Sequence, residues 1–176
     1  MQRNRLLAIG VIVIIVAAVG VYAYYATLTT VKLVLKDPPA QASTYSATHI
    51  WVSFSSIEVH QVRSGGSGSW IAVQSNTNIT IDLVAIISTP ETLGTFSIAS
   101  GNYTEIRFNV TSARAQLVSG AYVTLSVTSS NSLDAHFPGQ LVLKTGQSAT
   151  ITSDFTTIDG DVLTGKLTAS VTASWS

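Results

Sequence analysis

The sequence predicts an all-β protein: an Ig-like or Greek-key β-sandwich preceded by one N-terminal apolar helix, an anchor or a signal. Three observations carry this. Apolar residues recur at every second position in segment after segment from Thr27 onward, the period of a half-buried strand. Short clusters of Gly, Ser, Asn, Asp and Pro break those segments at the spacing of turns. Beyond the first 26 residues almost nothing reads as helix, so about ten strands must bury their apolar faces against one another in two packed sheets.

The helix is Leu6 to Tyr25, twenty residues without a charge, Asn, Gln, Ser, Thr or Pro. At about 1.5 Å per residue it would span about 30 Å, the thickness of a bilayer's hydrocarbon core. Arg3 and Arg5 precede it and the next charge is Lys32, so positive charge holds the N-terminus in the cytoplasm and sends the rest outside. Tyr22, Tyr24 and Tyr25 suit the outer interface of a retained anchor. Val21-Tyr22-Ala23 would equally serve as a signal cleavage site, and pilin-type processing near Arg5 is a third route. The division is residues 1–26 as anchor or signal and 27–176 as one extracytoplasmic domain.

From Thr27 on, Ser and Thr supply 45 of 150 residues, against seven basic and nine acidic ones. Hydroxyls rather than charges must solvate the surface, and without a basic patch nucleic acid is a poor partner. The absence of cysteine excludes disulfides, thiolate chemistry and Cys-type zinc sites.

Val31, Leu33 and Leu35 fall on one face of Thr27–Lys36, with Lys32 and Lys36 on the other, a pattern common in edge strands. Asp37-Pro38-Pro39 ends it. Thr48–Val62 is the longest expected strand: Ile50, Val52 and Phe54 share one parity, Ile57 and Val59 the other, so a bulge is expected at Ser55-Ser56. Residues 63–69 form a flexible hairpin loop before a strand at Trp70–Val73, and Ile79–Leu83 is another strand. An apolar turn at Val84–Ile87 follows, then a helical turn within Ser88–Leu93, with Thr89 as N-cap and Pro90 at its first position. Thr95–Ile98 and Thr104–Val110 are joined through a turn at 99–102, and Gln116–Val118 pairs with Tyr122–Val127 around Ser119-Gly120. Leu141–Leu143, Ser148–Phe155 and Leu167–Trp175 complete the set.

Several of these segments together resemble a known family. Lys36-Asp37-Pro38-Pro39-Ala40, VSFSSIEVH at 52–60, Trp70, TIDLVAI at 80–86 and GNYTEIR at 101–107 are similar to the secreted β-sandwich family catalogued as domain of unknown function 4382, found in archaeal and bacterial envelope proteins. The resemblance covers about residues 31–173. It implies an exported sandwich, often behind a signal peptide or lipid anchor, and brings no catalytic residues or cofactor. This chain lacks a lipoprotein cysteine, so anchoring would fall to the helix.

Candidate chemistry is sparse. No G-x-S-x-G elbow occurs. His49 and His60 would lie on opposite faces of a continuous strand, or on one face about 35 Å apart if a bulge intervenes. His136 sits beside Pro138-Gly139 in an expected loop. Nothing singles out a triad, so no enzyme and no cofactor is expected. Asp154, Asp159 and Asp161 could ligate calcium, but Asp159-Gly160 is also an ordinary turn dipeptide. Trp51, Trp70 and Trp175 read as core or edge packing, with a sugar platform as the alternative. Asn78, Asn102 and Asn109 each begin an N-x-[ST] sequon.

The function expected from these residues is that of a non-enzymatic cell-surface structural protein. It would be a glycosylated subunit of an extracellular filament, similar in character to thread-like archaeal surface filaments. Val31, Leu33 and Leu35 would form a strand donated within or between copies. The alternative is a monomeric ectodomain, held to the membrane by residues 6–25, that binds a partner or scaffolds a complex.

Overall fold

The computed structural model describes residues 16–23, 27–36, 46–63, 65–127, 131–157, 162–167 and 169–176. Residues 16–23 are helical and their side chains are exposed. Among the described residues no helix is long and apolar enough to cross a membrane, and most of the expected 6–25 span lies outside them.

Ten strands follow. The first five are β1 (Leu28–Lys36), β2 (Ala47–Val62), β3 (Gly68–Asp82), β4 (Glu91–Ala99) and β5 (Gly101–Leu117). After them come β6 (Tyr122–Val127), β7 (Ser132–Leu143), β8 (Ser148–Thr157), β9 (Lys166–Leu167) and β10 (Ala169–Trp175). One sheet has the order β10-β8-β1-β4 and the other β3-β2-β5-β6-β9, with β7 pairing along the first half of β5. The all-β sandwich is therefore the observed architecture. Between the sheets lie Phe54 on β2, Phe108 on β5 and Phe155 on β8, all fully buried, with ring centroids 5.2–6.4 Å apart. Tilted and edge-on contacts of this kind add to plain burial.

The bulge expected in β2 is present, with register shifts between Phe54 and Ser56 against both β3 and β5. It turns Ile57 and Val59 inward after Ile50, Val52 and Phe54, and all five are buried. The same shift puts His49, Trp51, Glu58 and His60 on one outward face.

Several expectations are corrected. β5, at 17 residues, is longer than β2, at 16. The two strands expected at 70–73 and 79–83 are one strand, β3; three of its residues, 76–78, stand against Ser55 alone, so the ladder absorbs the break. No helical turn forms at 88–93. A 3-10 turn forms earlier, at Ala85–Ile87, because Leu83 and Ile86 are drawn into the core, and Glu91 already pairs with Leu35. The turn expected at 99–102 shrinks to Ser100, so Asn102 is a strand residue.

His136 lies in strand β7, not a loop. The register shifts between Tyr103–Leu141 and Glu105–His136, and this wide bulge accommodates Pro138, which cannot donate to a ladder.

Tyr103 pins the β4–β5 corner. Its ring is fully buried, its hydroxyl donates to the Ala99 carbonyl at 2.7 Å, and Gln61 Nε2 donates to it at 3.4 Å. This is the logic of a tyrosine corner. Burial raises the phenol above its ordinary value of 10.0, partly opposed by the Gln61 hydrogen bond. The fold thus favours the neutral phenol. Its contribution is complete below the unfolded phenol's value near 10 and lost as pH rises through the higher folded one. Tyr103→Phe is expected to cost about 1 kcal/mol at neutral pH and to flatten the fall of stability above pH of about 10, as read from urea midpoints across pH.

Candidate functional site

The arrangement with most to say about function is the slot that holds β1. The first strand does not lie at an edge, as its lysines had suggested; it is central, antiparallel to β4 and parallel to β8. Lys32 and Lys36 point outward from the sheet's face rather than along a free edge. Val31, Leu33 and Leu35 are 2%, 1% and 0% exposed, and Thr29 on the same face is also buried. Without β1 nothing in this sheet joins β4 to the β8–β10 pair.

Both ends of the strand are held. At the start, Thr30 N–H donates to Gln147 O at 3.2 Å, Thr29 Oγ1 donates to Lys144 O at 3.2 Å, and Ser100 N–H donates to Thr27 O at 3.1 Å. At the finish, Lys36 Nζ lies 3.1 Å from Asp154 Oδ2, and these two residues are opposite partners in the parallel ladder. In between, β4 bulges opposite Leu33/Val34. Gly94 makes this possible: its φ is +155°, and a Cβ there would meet the Phe96 ring at 3.2 Å.

Asp154 is therefore a strand residue whose Oδ2 faces Lys36. Its Oδ1 is buried without a hydrogen-bond partner among the described residues. Asp159 and Asp161 lie outside the described residues, and no group of three metal-binding side chains occurs among those described.

The outward face of the larger sheet carries the other candidates in two clusters. At one end His49 stacks on Trp51, centroids 4.9 Å apart and planes 9° apart. Tyr122 lies 6.3 Å from the indole and Arg114 lies 4.8 Å above it. Asp82 organises this end. Its Oδ2 is 2.6 Å from His49 Nδ1, and its Oδ1 accepts from the N–H groups of Ile50 and Val84 at 3.1 Å.

At the other end Arg107 lies 4.0 Å above Trp70, which also meets His60 at 5.1 Å. Arg107 Nε and Nη2 donate to the two Asp134 oxygens at 2.9 and 2.7 Å. That bidentate pair holds the Asp134 carboxyl below, and the Arg107 guanidinium above, their ordinary values. His136 Nδ1 lies 3.4 Å from Glu105, and His60 Nδ1 is 3.0 Å from Thr104 Oγ1.

Neither Trp51 nor Trp70 is a core residue: His49 stacks on the first with Arg114 over its ring, and Arg107 lies over the second with His60 tilted against it. Trp175, on edge strand β10, is 44% exposed. His60 and His136 stand opposite Glu105 from either side while His49 lies at the other end of the face, and each pairs with a different acid or hydroxyl. What these clusters do is brace β2, β3, β5, β6 and β7 from outside with cross-strand pairs. That role was missed in the sequence, where position alone could not show which side of a bulged strand the rings take.

All three sequons lie in strands. Asn78 is exposed on β3, an edge strand, within the bulge. Asn102 is exposed but belongs to β5, paired there on both sides. Asn109 is half-buried and its Nδ2 donates to Ser56 Oγ at 2.7 Å.

No curated protein matches the chain. Among solved structures it is similar to a proposed cell adhesion protein from Bacteroides eggerthii, at 13% identity and a TM-score of 0.37, covering 84% of this chain and 55% of that one. It is also similar to listeriolysin O, at 13% identity and a TM-score of 0.20, covering 82% of this chain and 22% of that one. The chain thus spans about half the length of the first and about a fifth of the second, and superpositions this loose bear on neither fold nor activity. The family model is decisive where they are not. Residues 28–165, from the first residue of β1 to the turn before β9, match the family described as Domain of unknown function (DUF4382), and the chain belongs to it.

Proposed function

We propose that this chain is a non-enzymatic structural protein of the cell surface whose β1 strand can pass to a neighbouring copy, joining copies into an extracellular filament. One observation supports it above the others: β1 is an inner strand of its sheet, yet it is the first strand among the described residues, and ten residues separate it from β2. With no other strand before it among the described residues, β1 can leave without unthreading the rest of the sandwich. Ten residues reach about 33–36 Å when extended, far enough to enter an adjacent sandwich. The same slot and side chains are used in either case, so the contacts are equal and the choice falls to linker strain and concentration.

A second reading is a monomeric ectodomain anchored by residues 6–25. It is favoured by the placement of β1 in its own slot. The experiment that separates the two is a concentration series of residues 24–176, followed by light scattering and electron microscopy. Filaments that grow with concentration support assembly; a monomer at every concentration supports the anchored ectodomain.

The proposal includes N-linked glycans on the exported domain, and the strand positions order the sequons. An acceptor peptide must leave its ladder to be modified, which is easiest for Asn78 on an edge strand and hardest for Asn109 between two neighbours. Mass spectrometry of peptides from the native host is expected to find glycan mass at Asn78 and none at Asn109. Modification at Asn109 with Asn78 bare would contradict this order.

A further inference from the structure

The direction and register of the ladders gather the strand ends at two poles of the sandwich. At the pole where the chain enters β1 lie Arg63 and residues 65–67 between β2 and β3, Ser100, the β7–β8 loop at 144–147 and the end of β10. The side chains of these segments include two cations, Arg63 and Lys144, both exposed, and no acid. Beside the Lys144 loop is an open groove of about 430 Å³, lined in part by Val142, Gln147, Ala149 and Trp175. Val142 is 48% and Trp175 44% exposed, both large apolar side chains facing water. The opposite pole is of mixed charge: Asp82, Glu91 and Asp154 lie there with Lys36, which pairs with Asp154, and Arg114.

We propose that the entry pole is a lipid-facing surface, which seats on anionic headgroups when the apolar segment is retained in the bilayer. The inference rests on that anchored state, the second reading above. Its occupant follows from three features. Residue 23 ends the described helix and Thr27 leads into β1, so about 14 Å of chain at most separates them. A helix inserted to that point holds this pole, and not the opposite one, against the headgroups. Two exposed cations on segments that carry no acidic side chain complement a negative surface. Trp175 provides the amphipathic ring that favours the interface between hydrocarbon and water, and Val142 the apolar contact beside it. Seating would orient the sandwich upright, with β1 rising from the membrane and its Lys36 end outward.

The test uses the full chain in vesicles of phosphatidylcholine and phosphatidylglycerol. Because the chain has no cysteine, Thr145→Cys at the entry pole and Thr92→Cys at the far pole each accept a single nitroxide label. The expected result is collision of the Thr145 label with lipid-dissolved oxygen and of the Thr92 label with a water-soluble relaxer only. Adding Arg63→Glu and Lys144→Glu is expected to abolish the lipid contact while the protein resists extraction by alkaline carbonate. Protein removed by carbonate would overturn the anchored reading itself. Protein that stays while both labels report water would overturn the seating and leave the anchor standing. Lipid contact unchanged by the charge reversal would overturn the role of the two cations.

Discussion

Deleting β1 is expected to unfold this domain rather than trim it. A fragment of residues 38–176 loses Val31, Leu33 and Leu35, each contributing about 1.5–3 kcal/mol of burial. It also loses both ladders of the central strand, so β4 is parted from β8 and β10. Since whole domains are stable by only about 5–15 kcal/mol, the remainder should lose its cooperative melting transition. A synthetic peptide of residues 27–37 should restore that transition by adding a strand through main-chain bonds and side-chain pockets. Leu33→Asp in the peptide, placing a carboxylate in the core, should abolish rescue. A fragment that melts normally without peptide would show that the slot closes on its own.

The second large effect is expected at Phe54. Its ring meets Phe108 at 5.4 Å and Phe155 at 6.4 Å, which ties the two sheets together across the core. Phe54→Ala should cost about 3–5 kcal/mol, since the cavity has walls in both sheets and cannot collapse without shifting them. The urea midpoint should fall with little change in slope. Trp51→Ala, on the outward face, removes cross-strand contacts worth about 0.2–1 kcal/mol and should cost far less. Similar losses at the two positions would mean that the outward stack, not the aromatic core, holds the sandwich.

Much of this fold was legible in the sequence because alternation reports burial directly. Val31, Leu33 and Leu35 were recognisable as one face of a strand, and the parity switch after Phe54 announced the bulge. Sheet order was not legible. Outward lysines suit an edge, but Lys32 and Lys36 can also stand on the exposed face of a central strand, and only pairing with β4 and β8 separates the two. The first half of β7 was missed because Pro138-Gly139 reads as a break, whereas a bulge carries the ladder past it. The outward places of Trp51 and Trp70 were hidden for a related reason: large rings suggest burial, while cross-strand stacking with Arg114 and Arg107 serves them equally well. The candidate site fared likewise, its apolar residues readable and its central position set by contacts distant in sequence.

The claim that β1 can change hands is tested most directly by disulfide trapping between copies. Lys32 and Thr150 are opposite partners in the parallel β1–β8 ladder, and the native chain contributes no thiol of its own. One preparation of residues 24–176 carries Lys32→Cys, a second carries Thr150→Cys, and the two are mixed at the concentration that yields polymer before mild oxidation. A control chain with both substitutions shows that the pair can close within one copy. Strand exchange predicts a covalent dimer in the mixture, joined through these two positions as mapped by peptide mass. A mixture that stays monomeric while the control closes its internal disulfide would contradict exchange and leave β1 as a strand that serves only its own sandwich.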